Sequence, residues 1–397
     1  MLEKSLSNQS LSFDDTAIAF KHQSDQELKR SFWLFKAISN NFLVNVGPFF
    51  TKLALGIKLP ISGLIKATIF RQFCGGETIM ECTPTINKLA NAGVGTILDY
   101  SVEGEELESE FDHTKDEIIH TLQKAVELPQ SIPFCVFKIT GIARFALLEK
   151  INDKEELKDF EKLEWQNAVD RVEAICETAF RYQKHLMIDA EESWIQDAID
   201  ELGLTMMRKY NKDKAIIFNT YQCYRHDKLA SLIKDVTVAK AEKFYLGAKL
   251  VRGAYMEKER KRAIEMNYSS PIQLDKVATD RDYDLALAFC LDNLNEVSFV
   301  AGTHNQQSCL LLTELMEQRQ IDNDHAHIYF SQLLGMSDNL SFNLSNAGYN
   351  VAKYVPYGPV KAVLPYLFRR AEENTAIAGQ MGRELKLISK EIKRRGI

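Results

Sequence analysis

The stretch LPYLFRRAEEN (364–374) places Tyr366, Arg369, Arg370 and Glu373 at i, i+3, i+4 and i+7. Residues so spaced share one face of a helix. Two adjacent guanidinium groups on such a face can form forked hydrogen bonds to a carboxylate. A glutamate one turn later can balance their charge or meet an ammonium group. The same spacing also suits a solvated face laced with intrahelical ion pairs, and spacing alone leaves both readings open.

Polar residues also gather where short apolar runs end. The runs are TILDY (96–100), PFCVFKIT (133–140), HLMIDAE (185–191), AIIFNTYQ (215–222), LGAKLVRG (246–253), VSFVAGTHN (297–305), HIYFSQLLG (327–335) and NVAKYVPYG (350–358). The second carries Lys138, the third Asp189 and Glu191, and the fourth ends in Gln222. The fifth holds Lys249 and Arg252 before Gly253 and Tyr255. The sixth ends in Thr303, His304 and Asn305, the seventh has Gln332, and the eighth has Tyr354. One charged residue in a strand is ordinarily an ion-paired structural residue. Charged or amide groups near the ends of six strands, Lys138 through Gln332, are harder to explain that way. Inward charges must be paired or solvated, and a converging set suggests a charged ligand.

Other chemistries find less support. His325-x-His327 has neither the H-E-x-x-H spacing nor a Cys/His cluster around it, so a metal site is not expected. A G-x-S-x-G elbow is missing. Lys138 and Lys249 could in principle form Schiff bases, but nothing in the sequence separates such a lysine from an ion-paired one.

The eight runs alternate with charged amphipathic stretches such as DLALAFCLDNLNE (284–296). Alternation implies parallel pairing, because parallel neighbours need a crossover. The expected fold is therefore α/β, a distorted (βα)8 TIM-type barrel, whose usual length is roughly 250 residues. A doubly wound dinucleotide-binding sheet would need a G-x-G-x-x-G turn, which is absent. Residues 1–90 read as an N-terminal helical region without strands, residues 91–380 as the barrel, and residues 381–397 as a basic C-terminal helix. In such a barrel the site lies at the C-terminal ends of the strands, where the polar residues are.

Composition sets the outer limits. The 397 residues are 45% hydrophobic and 26% charged, with a net charge of −6, which argues against a general nucleic-acid binder. Seven cysteines, an odd number without a C-x-x-C pair, fit a reducing compartment. The first residues resemble neither a secretory signal nor a transit peptide. The apolar stretch from Phe42 to Ile65 is interrupted by Pro48, Lys52, Lys58 and Pro60, so a membrane span is not expected. The expectation is a cytoplasmic protein. Two segments, Phe42–Phe70 and the basic tail with Leu385, Leu387, Ile388 and Ile392, are candidates for peripheral contact with the inner face of a membrane.

Together, AKLVRGAY (248–255), GTHN (302–305), QLLGMSD (332–338), KYVPYGPV (353–360) and YLFRRAEEN (366–374) resemble the proline dehydrogenase family, with MIDAEES (187–193) and FNTYQCY (218–224) in support. The likeness runs from about residue 70 to 380 with the motifs in family order. RQFCGGET and GVGTILDYSVEG (71–104) look most like the monofunctional branch; the chain has no room for the second dehydrogenase domain of the long bacterial proteins.

The resemblance implies a final helix over the barrel mouth and non-covalently bound FAD. It implies oxidation of L-proline to Δ1-pyrroline-5-carboxylate by hydride transfer to flavin N5, the first step of proline catabolism to glutamate, with electrons passed to a quinone. By this resemblance Arg369 and Arg370 clamp the substrate carboxylate, Tyr354 and Tyr366 wall the ring, and Lys138, Asp189 and Glu373 complete a polar network. Gln222, Lys249, Arg252, Gly253, Tyr255, Thr303, His304, Asn305 and Gln332 fall in the cofactor-binding motifs. Two departures stand out: many bacterial members have arginine then lysine where this chain has Lys249 then Arg252, and Met256 replaces a frequent tryptophan. Which of Lys249 and Arg252 lies nearest flavin N5 is left open. A hydroxyproline dehydrogenase is the nearest alternative, disfavoured because the Tyr354 hydroxyl would crowd a ring hydroxyl; a Schiff-base lyase is the next.

Overall fold

The computed structural model describes residues 11–38, 62–102, 106–376 and 378–397, without the side chains of residues 371–381. Eight parallel strands close into a barrel in chain order: β1 (Gly95–Tyr100), β2 (Phe134–Phe137), β3 (His185–Ile188), β4 (Ile217–Gln222), β5 (Leu246–Val251), β6 (Val297–Gly302), β7 (Ile328–Leu333) and β8 (Val351–Tyr357). Closure comes from β1 against β8, paired from Gly95↔Ala352 to Tyr100↔Tyr357. Strands buried on both faces read as nearly unbroken apolar runs. That is why all eight are visible in the sequence.

Most strands are shorter than their runs at the C-terminal end. Lys138 follows β2, Asp189 and Glu191 follow β3, Arg252 and Gly253 follow β5, and Thr303 to Asn305 follow β6. These polar residues continue the β-like pattern, but their backbone has already left the ladder for the loops that build the mouth. The helix expected at 284–296 is instead Lys276–Asp292. Asp275 starts it by accepting the N–H of Ala278 at 2.8 Å, a cap that outweighs the weak apolar period of the first two turns. The N-terminal region contributes one short extended element: Gly76 bridges to Tyr357 in parallel and Gly75 donates to the carbonyl of Pro356 at 2.8 Å.

Two apolar layers set the architecture. Inside the barrel, Ile97, Phe134, Val136, Met187, Phe218, Val300 and Ala352 pack together, so the interior is filled. A larger core lies between the strands and the outer helices.

A separate cluster joins Leu28, Phe35 and Ile38 of helix Asp25–Ile38 to Phe70 and Phe73. It also takes in Val363, Leu364 and Leu367 at the start of helix Leu364–Ala376, and Leu387 and Ile388 of helix Ala378–Arg395. Each such side chain stabilises by about 1.5–3 kcal/mol when fully buried. This cluster seats the arginine-bearing helix. It also occupies the apolar face of the tail: Leu387 and Ile388 are buried, and Leu385 and Ile392 pack beside them. Arg395 is tied to Glu391, Asp25 and the carbonyls of Phe20 and Gln23. The tail is thus a packed helix, its apolar residues turned inward. The other membrane candidate, Phe42–Phe70, lies outside the described residues up to position 61; from Ser62 onward it is helical, with Lys66 paired to Glu77 at 2.6 Å. Among the described residues no helix is long and apolar enough to cross a membrane.

Candidate active site

Five side chains from five strands meet at the mouth. Asp189, just past β3, is 13% exposed and lies between two lysines. Lys249 of β5 pairs with its Oδ1, and Lys138, just past β2, approaches Oδ2 at 3.3 Å. The Lys249 ammonium also donates to the Tyr354 hydroxyl at 2.7 Å, and that hydroxyl donates to Asp189 Oδ1 at 3.1 Å. Asp99 of β1 stands 4.0 Å from Lys138 and accepts a 2.5 Å hydrogen bond from Ser101. Burial would raise the Asp189 carboxyl, but the two lysines hold it below the usual carboxylate range. Burial pulls the Lys249 ammonium down, against the opposing charge of Asp189. Burial, with Asp189 and Asp99 nearby, keeps Tyr354 a neutral phenol. The cluster is a fixed set of alternating charges with one hydroxyl among them. Alternation is what allows it to exist away from bulk water.

Around this centre the remaining residues divide by orientation. Arg252 faces the helical layer. It stacks 4.3 Å over the Tyr283 ring and donates to Asp280 at 2.7 Å, Thr303 at 2.8 Å and Ser308 at 2.9 Å. Asn305 caps helix Gln306–Gln318, accepting from Gln307 N–H at 2.8 Å. Gln332 is engaged at both ends, donating to the Thr303 carbonyl at 3.1 Å and accepting from Ser341 at 2.8 Å.

Gly253 adopts φ 135°, and a Cβ there would come within 2.5 Å of the Tyr224 ring, so only glycine fits. Tyr255 lies 5.8 Å beneath the Arg369 guanidinium. His304 pairs through Nδ1 with the Ser337 hydroxyl at 2.9 Å. Burial, with Arg370 and Lys353 near, pushes its imidazole down to about 3, so it is neutral. Arg370, 6% exposed, stacks 5.3 Å from the Tyr366 ring. Helix Leu364–Ala376 therefore brings its arginines to the loops after β5 and β6. The Glu373 side chain lies outside the described residues.

Gln222 bears on the cofactor expectation. Its amide donates to the Glu191 carbonyl at 2.9 Å, while its Oε1 is buried without a hydrogen-bond partner among the described residues. A buried acceptor left so costs about 1–3 kcal/mol. A polar group bound at the mouth that offers an N–H or O–H would relieve it, and an isoalloxazine or ribityl chain has such groups. The residues fit FAD in that respect.

One carboxylate escaped the sequence reading as a site residue. Asp99 sat inside an apolar run and was read as strand. Its signal was the cost of an unpaired carboxylate among buried residues. Glu191 is 3% exposed, accepts the Thr140 N–H at 3.1 Å and bonds its hydroxyl. Burial raises its carboxyl to about 8. His325 and His327 meet edge to face with ring centroids 5.3 Å apart, away from the mouth, and His327 Nδ1 meets the Leu294 carbonyl at 3.0 Å.

Comparison with known proteins brings a family to this geometry. A family model described as proline dehydrogenase matches residues 82–383. The mitochondrial proline dehydrogenase 1 of Dictyostelium discoideum is 35% identical, over 96% of this chain and 74% of that protein. The hydroxyproline dehydrogenase of Xenopus laevis is 31% identical, over 97% of this chain and 90% of that one. Proline utilization A of Bdellovibrio bacteriovorus superposes with a TM-score of 0.72 at 17% identity, over 94% of this chain and 40% of that one, a likeness of fold. The match from residue 82 to 383 takes in every strand of the barrel and the arginine-bearing helix, and the chain belongs to the proline dehydrogenase family.

Proposed function

We propose that this protein oxidises L-proline to Δ1-pyrroline-5-carboxylate, with FAD as its resident cofactor and a quinone as the final acceptor. The reading rests above all on the arginine-bearing helix, which brings Arg369 and Arg370 to the β5 and β6 loops beside a mouth of ordered charges. Arg369 and Arg370 bind the substrate carboxylate, and the forked geometry of guanidinium fixes the ring's orientation as well as its position. Tyr354 and Tyr366 wall the ring. Asp189 stays ionised and holds Lys138 and Lys249 in place, so the positive charge at the mouth is directional. Gln222, Lys249, Gly253, Tyr255 and His304 form the bed for FAD, with Arg252, Thr303, Asn305 and Gln332 shaping the loops behind them.

The overall change removes a hydride from C5 and a proton from the ring nitrogen, leaving a C=N bond. FAD, when bound, supplies the two-electron acceptor for that hydride. Lys249 lies in the central cluster and Arg252 is engaged with the helical layer, which favours Lys249 as the cation nearer the reacting end of the cofactor. A Schiff base at Lys249 is disfavoured because its amine is engaged by both Asp189 and the Tyr354 hydroxyl.

Contact with a lipid surface, as a quinone acceptor requires, is not assigned to the tail, whose apolar face is packed. The test of the whole reading is the absorption spectrum of the purified protein under anaerobic conditions, with and without L-proline. A flavin band that bleaches on adding L-proline is expected; a colourless protein, or a band indifferent to proline, sinks it. The likeness to a hydroxyproline dehydrogenase supports a second reading. The ratio of kcat/KM for L-proline and trans-4-hydroxy-L-proline separates the two.

A further inference from the structure

The loop after β7 is held in an unusual way. Ser337 precedes helix Asp338–Asn346 with φ 50° and ψ 42°, the left-handed region. A non-glycine residue sits there only at an energetic cost. A serine before a helix ordinarily turns its hydroxyl back onto the helix's first N–H groups. Ser337 makes no such bond. Its Oγ instead lies 2.9 Å from His304 Nδ1, and its backbone N–H donates to Glu384 Oε1 at 2.6 Å. Glu384 is 6% exposed and belongs to helix Ala378–Arg395. From the barrel side, Lys353 donates to the Met336 carbonyl at 2.7 Å and pairs with Asp338 at 2.8 Å. A buried carboxyl and a buried ammonium, Glu384 and Lys353, therefore grip the loop on either side of Ser337. They stabilise a backbone conformation that serine would not adopt unaided.

We infer that Glu384 is a positioning residue: from the tail helix it fixes the backbone of Ser337, whose hydroxyl then sets the orientation of the His304 ring at the barrel mouth. With Nδ1 held by the Ser337 hydroxyl, the plane of the ring and the direction of Nε2 are fixed. The inference rests on the proposed reading of His304 as a cofactor contact. Glu384 lies one residue beyond the segment matched by the family model, so the tail helix, which otherwise looks like packing alone, acquires a part in shaping the site.

Three variants of the full-length protein test this. Glu384→Ala removes the acceptor for the Ser337 N–H, and Glu384→Gln keeps an acceptor oxygen in place. Ser337→Gly keeps the left-handed backbone without strain and removes only the hydroxyl, so it tests the idea even if the alanine variant folds poorly. Two quantities are read. One is the imidazole nitrogen chemical shifts of His304, assigned with His304→Gln. The other is the rate of FAD release on dilution, followed by recovery of flavin fluorescence. Glu384→Ala and Ser337→Gly should shift the His304 nitrogen signals and speed FAD release about tenfold, the weight of one or two hydrogen bonds. Glu384→Gln should match wild type in both. Unchanged His304 signals in Ser337→Gly and Glu384→Ala overturn the latch. Shifted signals with unchanged FAD release overturn His304 as a cofactor contact and leave the latch standing. A Glu384→Gln variant as defective as alanine also overturns the latch, because an acceptor alone should suffice.

Discussion

The two ends of the same barrel strands are built from opposite chemistry. At the N-terminal ends, Phe134, His185, Phe218 and Tyr329 form an aromatic plug, with Phe134 4.9 Å from both His185 and Tyr329 and 5.4 Å from Phe218. Burial pushes His185 down to about 4, so even the titratable member is neutral. Four residues beyond Phe134, His185 and Phe218 stand Lys138, Asp189 and Gln222. The plug is stabilised by area and shape, whereas the mouth holds charges that only their mutual arrangement makes tolerable. Stability and chemistry are thus divided along each strand, and mutations at the two ends should fail differently.

The largest effects should show that division most clearly. Phe218→Ala removes a fully buried ring and should destabilise by roughly 3–5 kcal/mol, while kcat/KM of the protein that remains folded stays near wild type. Asp189→Asn leaves Lys138 and Lys249 without their common counter-charge. Breaking a buried pair on one side costs about 3–5 kcal/mol, so chemical denaturation should report a similar loss, but here proline turnover should fall with it. If Phe218→Ala lowers kcat/KM as much as Asp189→Asn does, the two ends are not separable.

Next in size is the carboxylate clamp. Arg369→Met and Arg370→Met should each cost roughly 2–5 kcal/mol in kcat/KM, chiefly through KM. Flavin content, measured by absorbance, should be retained. Near-normal kinetics in both variants would remove the clamp.

Tyr354→Ser should have a smaller and more specific effect. Losing the ring opens space beside the substrate and also deprives Lys249 and Asp189 of a shared partner. Proline turnover should drop, and the relative kcat/KM for trans-4-hydroxy-L-proline should improve by about 1–2 kcal/mol, the scale of one poorly fitted group in a pocket. An unchanged ratio would place Tyr354 away from the ring.

Strand parity explains what could and could not be read beforehand. Lys249 and Arg252 are three residues apart, and side chains alternate along a strand. Alternation would turn them to opposite faces, and Arg252, though just past β5, does reach Tyr283 and Asp280 in the helical layer. The sequence held that hint. It did not hold the tail's partner, because Leu387 and Ile388 pack on Leu28 and Phe35, some 350 residues away in sequence. An amphipathic helix looks the same whether its apolar face meets a lipid surface or another helix. Asn305 and Gln332 are intermediate cases: their motif positions were legible, but their helix-capping and loop-bracing bonds depend on Gln307, Thr303 and Ser341 being brought alongside.

An effect that shows only against pH concerns Glu191, which lies past β3 beside the cluster but outside the clamp. Its carboxyl is raised from 4.5 to about 8 by burial first, with Glu192 adding to the rise, against the hydrogen bonds from Thr140. A raised carboxyl binds its proton more tightly in the folded chain than in the unfolded one. The stability it contributes is therefore fully present below pH 4.5 and is lost as pH climbs through about 8. One such group can tilt stability by at most about 1.4 kcal/mol per pH unit within that window. Glu191→Gln keeps the shape and an acceptor for Thr140 but cannot ionise. Unfolding free energy measured from pH 5 to pH 8.5 should fall less steeply in the variant than in wild type, the two differing most on the alkaline side. His304 acts in the opposite sense and on the acid side: its neutral ring resists protonation down to about 3, so its contribution is lost as pH falls below the ordinary 6.5. The two windows overlap between pH 4.5 and 6.5, so Glu191→Gln and wild type are best compared above pH 6.5, beyond the window of His304. Parallel curves for wild type and Glu191→Gln across the alkaline limb would show that Glu191 is ionised throughout. The carboxylates and lysines of the mouth would then have to be reckoned with one more negative charge.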